Sequence, residues 1–373
     1  MKKPSLFSRR EFMRRMALGA GMILPLSTGA IVSAEPEING GLTIRRLPCK
    51  TESSPNGATI KAFGVGRAGL HTVLRLFEEY GRIDDTIEYI LVESHGSEPI
   101  RSIPAFTKEQ FCELSDIINH SQLVFIIAGL EEHTTADVVP VISDIGKKMG
   151  KFTLSVVSMP SDPVSTGKKL LAEQRLEAWR RAGDCVITVS NDNISNTGSD
   201  GNVVSAQSVD ILMAAAVSGI SQALCSQGVL GGLDLANIKL MMSGAKELSF
   251  GIGWGWGKKR AETAVSSAWR YLSARKRSML FKGVLLALIA PYDLSFYELE
   301  AASDTLYKAL PKNVPTELLT PISLYDLPFY ELEAARDPLY EALPDNLSTE
   351  FLWTYAINPR IGMDGLQAVI YGC

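Results

Sequence analysis

The apolar positions of this chain follow two alternating rhythms. Thr59–Val65, Ile87–Val92, Leu123–Ala128 (LVFIIA), Phe152–Val157 and Cys185–Val189 are short runs rich in apolar residues, which predicts strands buried in a parallel sheet. Between them the spacing turns helical: an amphipathic stretch to Tyr80, a segment carrying Val138, Val139, Val141, Ile142 and Ile145, and a polar helix over Leu170–Arg181. This β-α-β alternation predicts a parallel sheet with helices on both faces. After a Gly/Asn/Ser loop (Ser190–Asn202), Ser205–Leu224 reads as a long apolar helix whose Ala214-Ala215-Ala216 run and Gly219 suit close packing on a sheet. From Leu233 the order changes. A strand-like Ile238–Met242, a glycine-rich GIGWGWG at 251–257, a helix over Arg260–Arg275 and a strand over Gly283–Ala290 predict a second, smaller α/β unit.

One repeat interrupts this second unit. Residues 292–319 and 325–352 align without gaps at an offset of 33, with 20 identities in 28, which marks a tandem duplication. Two copies are too few for a solenoid. Its acidic positions (Glu298, Glu300, Glu331, Glu333) read as solvated helix faces.

The first 34 residues stand apart. Residues 2–15 are basic and 16–31 (MALGAGMILPLSTGAI) are apolar and uncharged, ending in Val32-Ser33-Ala34. This is the order of a secretory signal. Ser8-Arg9-Arg10-Glu11-Phe12-Met13-Arg14 resembles the twin-arginine export motif, which implies an exported or membrane-associated protein on the periplasmic side. The alternatives are an uncleaved anchor, for which sixteen residues are short of the roughly 20 that span a bilayer, or translation from upstream of the true start of a cytoplasmic protein. The expected organisation is a signal or anchor segment (1–34), an irregular linker (35–57), a nucleotide-type α/β domain (58–204), a central helix and following loop (205–232), and a C-terminal α/β domain (233–373) holding the duplication.

Composition narrows the classes. With 373 residues, 46% hydrophobic and 21% charged, the chain is neither disordered nor a coiled-coil rod. The formal charge is −4, and beyond residue 34 it becomes −9, with 31 basic and 40 acidic residues; a bulk nucleic-acid binder is excluded. Cys49, Cys112, Cys185, Cys225 and Cys373 are widely spaced with no C-x-x-C pair, so neither a metal site nor a thiol redox pair is indicated. His95, His120 and His133 belong to no Ser/His/Asp or Cys/His constellation. Trp254 and Trp256, alternating with glycine, fit either an exposed contact patch or packing between the two units.

The chemistry concentrates in glycine loops. Gly64-Val65-Gly66-Arg67-Ala68-Gly69 lies between a strand and a helix, where glycines let a backbone approach phosphates and the helix start favours negative charge. As a dinucleotide fingerprint it needs an acid about 20 residues on, and Glu93 is 24 beyond Gly69. The order of motifs fits another family better. Ile60–Val73 (IKAFGVGRAGLHTV) resembles the first nucleotide loop of FtsZ, the bacterial relative of tubulin, and Leu123–Pro140 (LVFIIAGLEEHTTADVVP) its strand, phosphate loop and helix. Asp184–Asp192 resembles the strand ending in Pro-Asn-Asp, and Ser208–Leu224 the helix whose start contacts guanine. Gly232–Ile238 (GLDLANI) falls at the synergy loop, N-x-D-x-x-D, and Ser249–Glu262 at a glycine turn and helix. Gly283–Leu299 and Ala356–Ile370 resemble later strands, so the resemblance runs over about 58–370, around the duplication.

The resemblance implies an FtsZ/tubulin-like α/β fold, GTP with Mg²⁺ beside it, GTPase activity, and head-to-tail self-association into filaments of cell division. It places nucleotide-binding roles at Gly64, Gly66, Gly69, Gly129, Thr134, Asn191 and Asp210, and a catalytic role at Asp234. No resident metal site is implied. The departures weigh against turnover. Where the family has G-G-G-T-G-T-G, this chain has Glu131-Glu132-His133-Thr134-Thr135-Ala136-Asp137, of which Thr134 alone is kept. Carboxylates beside a triphosphate repel it, at several kcal/mol in a partly desolvated site. Glu131, Glu132 and Asp137 could instead ligate Mg²⁺, or complement the dipole of the helix they open. In the synergy loop Gly232 and Asn237 replace an asparagine and an acid, and an amide cannot serve as a base. The chain also ends after its last core strand, where the family carries a tail that recruits membrane anchors. The expectation is a division or membrane-scaffold protein with weak or lost GTP binding and hydrolysis. The alternatives are an active division GTPase and an exported binding protein on the same scaffold.

Overall fold

The computed structural model describes residues 42–47, 60–79, 87–94, 107–160, 166–189, 209–225, 235–242, 245–274, 283–290, 294–310, 350–357 and 365–372. In chain order its elements are β1 (Leu42–Arg46), β2 (Ile60–Val65), α1 (Gly66–Glu79), β3 (Ile87–Ser94), α2 (Lys108–Asn119), β4 (Leu123–Gly129), α3 (His133–Lys148), β5 (Phe152–Ser158), α4 (Thr166–Ala182) and β6 (Cys185–Val189). The second half holds α5 (Val209–Cys225), α6 (Leu235–Met241), β7 (Glu247–Trp256), a 3₁₀ turn (Gly257–Lys259), α7 (Arg260–Ser273), β8 (Gly283–Ala290), α8 (Phe296–Ala309), β9 (Glu350–Ile357) and β10 (Gly365–Gly372). Among the described residues no helix is long and apolar enough to cross a membrane. The signal-like segment, most of the 35–57 stretch and the second repeat copy up to residue 349 lie outside the described residues.

Among the described residues, ten strands form one sheet in the order β1-β3-β2-β4-β5-β6-β7-β10-β8-β9. From β3 to β7 the pairing is parallel, as the apolar runs predict; β10 is antiparallel to both β7 and β8. β7 joins the halves: Glu247 and Leu248 pair with β6, and Ser249–Trp256 pair with β10. Three apolar clusters cover the faces. One runs through both halves beneath α1, α5 and α6; a second packs α2, α3 and α4 on the other face of the first half, and a third packs α7 and α8 in the second. Helix α5 is buried along nearly its whole length, as its alanine run predicts.

Three expectations change. Residues 42–46 are not irregular: they form β1, antiparallel to β3 at the sheet edge. Residues 238–242 are not a strand. Leu235–Met241 is helical, and Ile238, Met241 and Met242 are buried while Lys239 and Leu240 face out, a spacing of three and four that a run of seven residues states too briefly to read. The GIGWGWG stretch is not a turn. Gly251–Trp256 belongs to β7, because alternation of glycine with large residues is the period of a strand. A Cβ at Gly251, Gly253 or Gly255 would strike the carbonyls of Ala268, Ala264 or Arg260, so the glycine face lets α7 lie directly on the strand. Trp254 is partly buried against the core shared by the two halves.

Candidate functional site

Ligands of open α/β sheets bind where the strand order reverses, beyond the carboxyl ends of the strands. Here that point lies between β2, which leads outward to β3, and β4, which leads to β5 and β6. Two helices start there: α1 directly from β2, and α3 after the short connection Leu130–Glu132. Gly66, at φ +71°, turns the chain from β2 into α1 with a backbone that L side chains rarely adopt.

The crevice contains a carboxylate from the chain itself. Arg67 N–H donates to Glu132 Oε2 at 2.6 Å and Ala68 N–H to Glu132 Oε1 at 2.8 Å. Glu132 stands at the N-cap position of α3 yet makes no side-chain bond to that helix. It caps α1 instead, where two free amides and the helix dipole favour an anion. The connection bearing it is held from below. Arg175 of α4, buried beneath the loop, donates through Nη1 to the Leu130 carbonyl (2.6 Å) and the Glu132 carbonyl (3.0 Å). Desolvation lowers the Arg175 pKa from its ordinary value, and the charge of Asp137 opposes that shift. The buried Thr135 hydroxyl lies 2.7 Å from the Gly129 carbonyl and 2.8 Å from that of Glu132, and Leu130 N–H donates to Ser158 O at 3.1 Å.

The residues singled out in the sequence divide into five groups. Gly66 and Gly129 border the Glu132 carboxylate: a Cβ on Gly66 would collide with Oε2, and one on Gly129 would sit 3.2 Å from Oε1. Gly64 and Gly69 face each other instead. A Cβ on Gly64 would meet the Gly69 carbonyl, and one on Gly69 the Ile127 carbonyl, so these glycines set the approach of α1 to β2 and β4. Thr134 lies in the first turn of α3, while Asn191 and Asp234 lie outside the described residues. Asp210, in the first turn of α5, receives Arg75 of α1, whose Nε and Nη2 are both 3.3 Å from Oδ2. Thr72 extends the α1–α5 contact, donating to Ala68 O and lying 4.0 Å from Met213 Sδ.

The reading of Glu131, Glu132 and Asp137 as acids that complement their own helix is therefore corrected at Glu132. Arg75 and Arg175 were not anticipated: an arginine on a polar helix carries no local mark of its partner. The glutamate in place of glycine just after β4 was the available signal. The three acids do not converge either. Glu131 is exposed, Glu132 is bound to α1, and Asp137 lies in the field of Arg175. Among the described residues no group of three His, Cys, Asp or Glu side chains comes together to hold a metal ion. The two amides at the start of α1 are held by the Glu132 carboxylate.

The architecture is a larger, mainly parallel α/β half and a smaller α/β half that share one sheet through β7, with the central helix α5 packed in their common core. No family model matches the sequence. Among solved structures, a mutant FtsZ from M. jannaschii is similar at a TM-score of 0.62 and 21% identity, over 84% of this chain and 90% of that one. An empty FtsZ dimer from the same organism gives 0.62 and 21%, over 85% and 88%. CetZ from Methanosaeta thermophila strain DSM 6194 gives 0.50 and 15%, over 84% and 86%. The fold of this chain is thus that of FtsZ, as the order of motifs implies.

Proposed function

We propose that this protein is an FtsZ-like cytoskeletal scaffold, self-associating head to tail in cell division or at a membrane, with GTP binding and hydrolysis weak or lost. One observation carries the loss: side chains of the chain itself take the groups that a nucleotide would use. Glu132 takes the α1 amides, and Arg75 takes Asp210, the acid expected to read guanine. An incoming phosphate would meet a carboxylate on the same donors, and an incoming base an acid already paired. The FtsZ dimer among the similar structures supports self-association through this fold. The N-terminal segment 1–34, basic and then apolar, supplies a membrane tether or an export signal.

Equilibrium dialysis with GTP, with and without Mg²⁺, alongside phosphate release and sedimentation, tests the proposal. It expects no binding at near-millimolar nucleotide, no phosphate release, and pelletable polymer without GTP. Micromolar binding would put the active division GTPase in its place. A chain that stays monomeric under all conditions would favour the binding-protein reading of the same scaffold.

A further inference from the structure

We infer that Glu132 is an internal substitute for a phosphate, which does for this fold the structural work a bound nucleotide would do. The inference rests on the reading of the crevice as a former nucleotide site and adds to it that the occupant stabilises the fold as well as excluding a ligand.

The geometry is that of an anion cradle with its anion in place. Two successive amides follow a positive-φ glycine and point to one centre, and each oxygen of the carboxylate accepts from one of them. Glycines border the carboxylate on both sides: a Cβ on Gly66 would collide with Oε2, and one on Gly129 would stand 3.2 Å from Oε1. Glu132 forgoes the cap of its own helix to reach across, so the contact is a connection between α1 and the β4–α3 loop rather than a local turn. Arg175 is the positioning residue. Its guanidinium fixes the backbone carbonyls of Leu130 and Glu132, and thereby aims the Glu132 side chain at α1. A soluble phosphate would tie the same two loops together only in proportion to its concentration. A carboxylate carried by the chain does so always.

Thermal unfolding of the full chain, with inorganic pyrophosphate as the probe, tests this. For the wild-type protein the Tm stays within about 1 °C up to about 10 mM pyrophosphate. Glu132→Ala lowers the Tm by about 3–6 °C, the cost of two charge-assisted bonds in a chain of this size. Pyrophosphate then restores at least about half of that loss, because the vacated amides accept it. Glu132→Gln keeps the shape and loses the charge, and gives the same pattern at smaller amplitude should the alanine variant not fold. A wild-type Tm that climbs with pyrophosphate, a Glu132 variant as stable as the wild type, or a loss that pyrophosphate does not repair would each overturn the inference. Failure of the scaffold proposal would show in sedimentation and leave these melting curves as they are.

Discussion

Glu298 shows how one carboxylate can be held by several donors at once. It lies at the third position of α8, where Ser295 N–H donates to Oε2 at 3.0 Å, the Ser295 hydroxyl donates to the same oxygen at 2.8 Å, and Arg260 of α7 reaches both oxygens. Its partial burial alone would raise its pKa. The Arg260 and Ser295 hydrogen bonds and the Arg260 charge outweigh burial and leave it below the ordinary glutamate value of 4.5. A carboxylate whose pKa is lowered by folding contributes stability above the unfolded value and loses it as the pH falls through the folded one. Glu298→Gln should therefore be less stable than wild type in urea at neutral pH, with the difference shrinking below about pH 4.5. A gap that is the same at pH 7 and pH 3.5 would mean that the charge of Glu298 contributes nothing.

At the level of elements, the duplication poses a choice between two similar segments, and α8 is the first of them. Leu294, Leu299, Ala302, Leu306 and Leu310 bury its inner face against α7 and the sheet. Leu327, Leu332, Ala335, Leu339 and Leu343 repeat those residues in the second copy. The copies differ where a helix is made. Ser295 caps α8 in a capping box and Thr305 continues it, whereas the matching positions are Pro328 and Pro338. Proline lacks the side-chain acceptor of a cap, and inside a helix it removes a backbone bond at a cost of about 3 kcal/mol. The first copy is thus the better suited of the two to form a helix, and it supplies α8. Deleting residues 311–343 joins Leu310 to Pro344 and leaves one intact strand–helix–strand unit. The expected outcome is a folded protein of equal stability, or more stable by up to about 1.5 kcal/mol from the shorter connection, as measured by urea denaturation. Loss of solubility or of the cooperative transition would show that the deleted stretch is required by the fold.

Across the whole molecule, the two halves share a core. Phe250, on the strand that joins them, packs edge-on to Tyr271 of α7 at 6.1 Å between ring centres and lies 5.9 Å from Tyr371 of β10. The Tyr371 hydroxyl donates to the Ala216 carbonyl of α5 at 2.7 Å, and burial pushes its pKa well above the ordinary phenol value. Gly219 leaves the room for it. Because the same apolar cluster runs from Ile60 to Tyr371, the halves should lose structure together. Phe250→Ala, expected to cost about 3–5 kcal/mol, should lower the hydrogen-exchange protection of β4 and of β8 by similar factors. Protection lost in β8 but retained in β4 would show that the halves unfold separately.

The sequence established the parallel first half, the buried central helix, the duplication and the order of motifs that implies the FtsZ fold. Continuous apolar runs and glycine punctuation are local signals, and each parallel strand of that half carries its own; the antiparallel edge strand β1 does not. Short or doubly ambiguous segments needed the structure: α6 has too few residues to show a period, and β7 reads as a turn until α7 is seen lying on its glycines. The site divides in the same way. Loss of the glycine loop was visible in Glu131–Asp137, since it depends only on which residues are present. Where the Glu132 carboxylate goes was not, because Arg67 and Ala68 lie 65 and 64 residues away along the chain. Arg75 and Asp210 are 135 apart, and Arg175 is more than 40 residues from the loop it holds. A helix start beside a glutamate favours their pairing on local grounds, yet only the packing of α1 against β2 and β4 brought a second pair of amides within reach. Chain order fixes which groups exist; the folded backbone decides which of them meet.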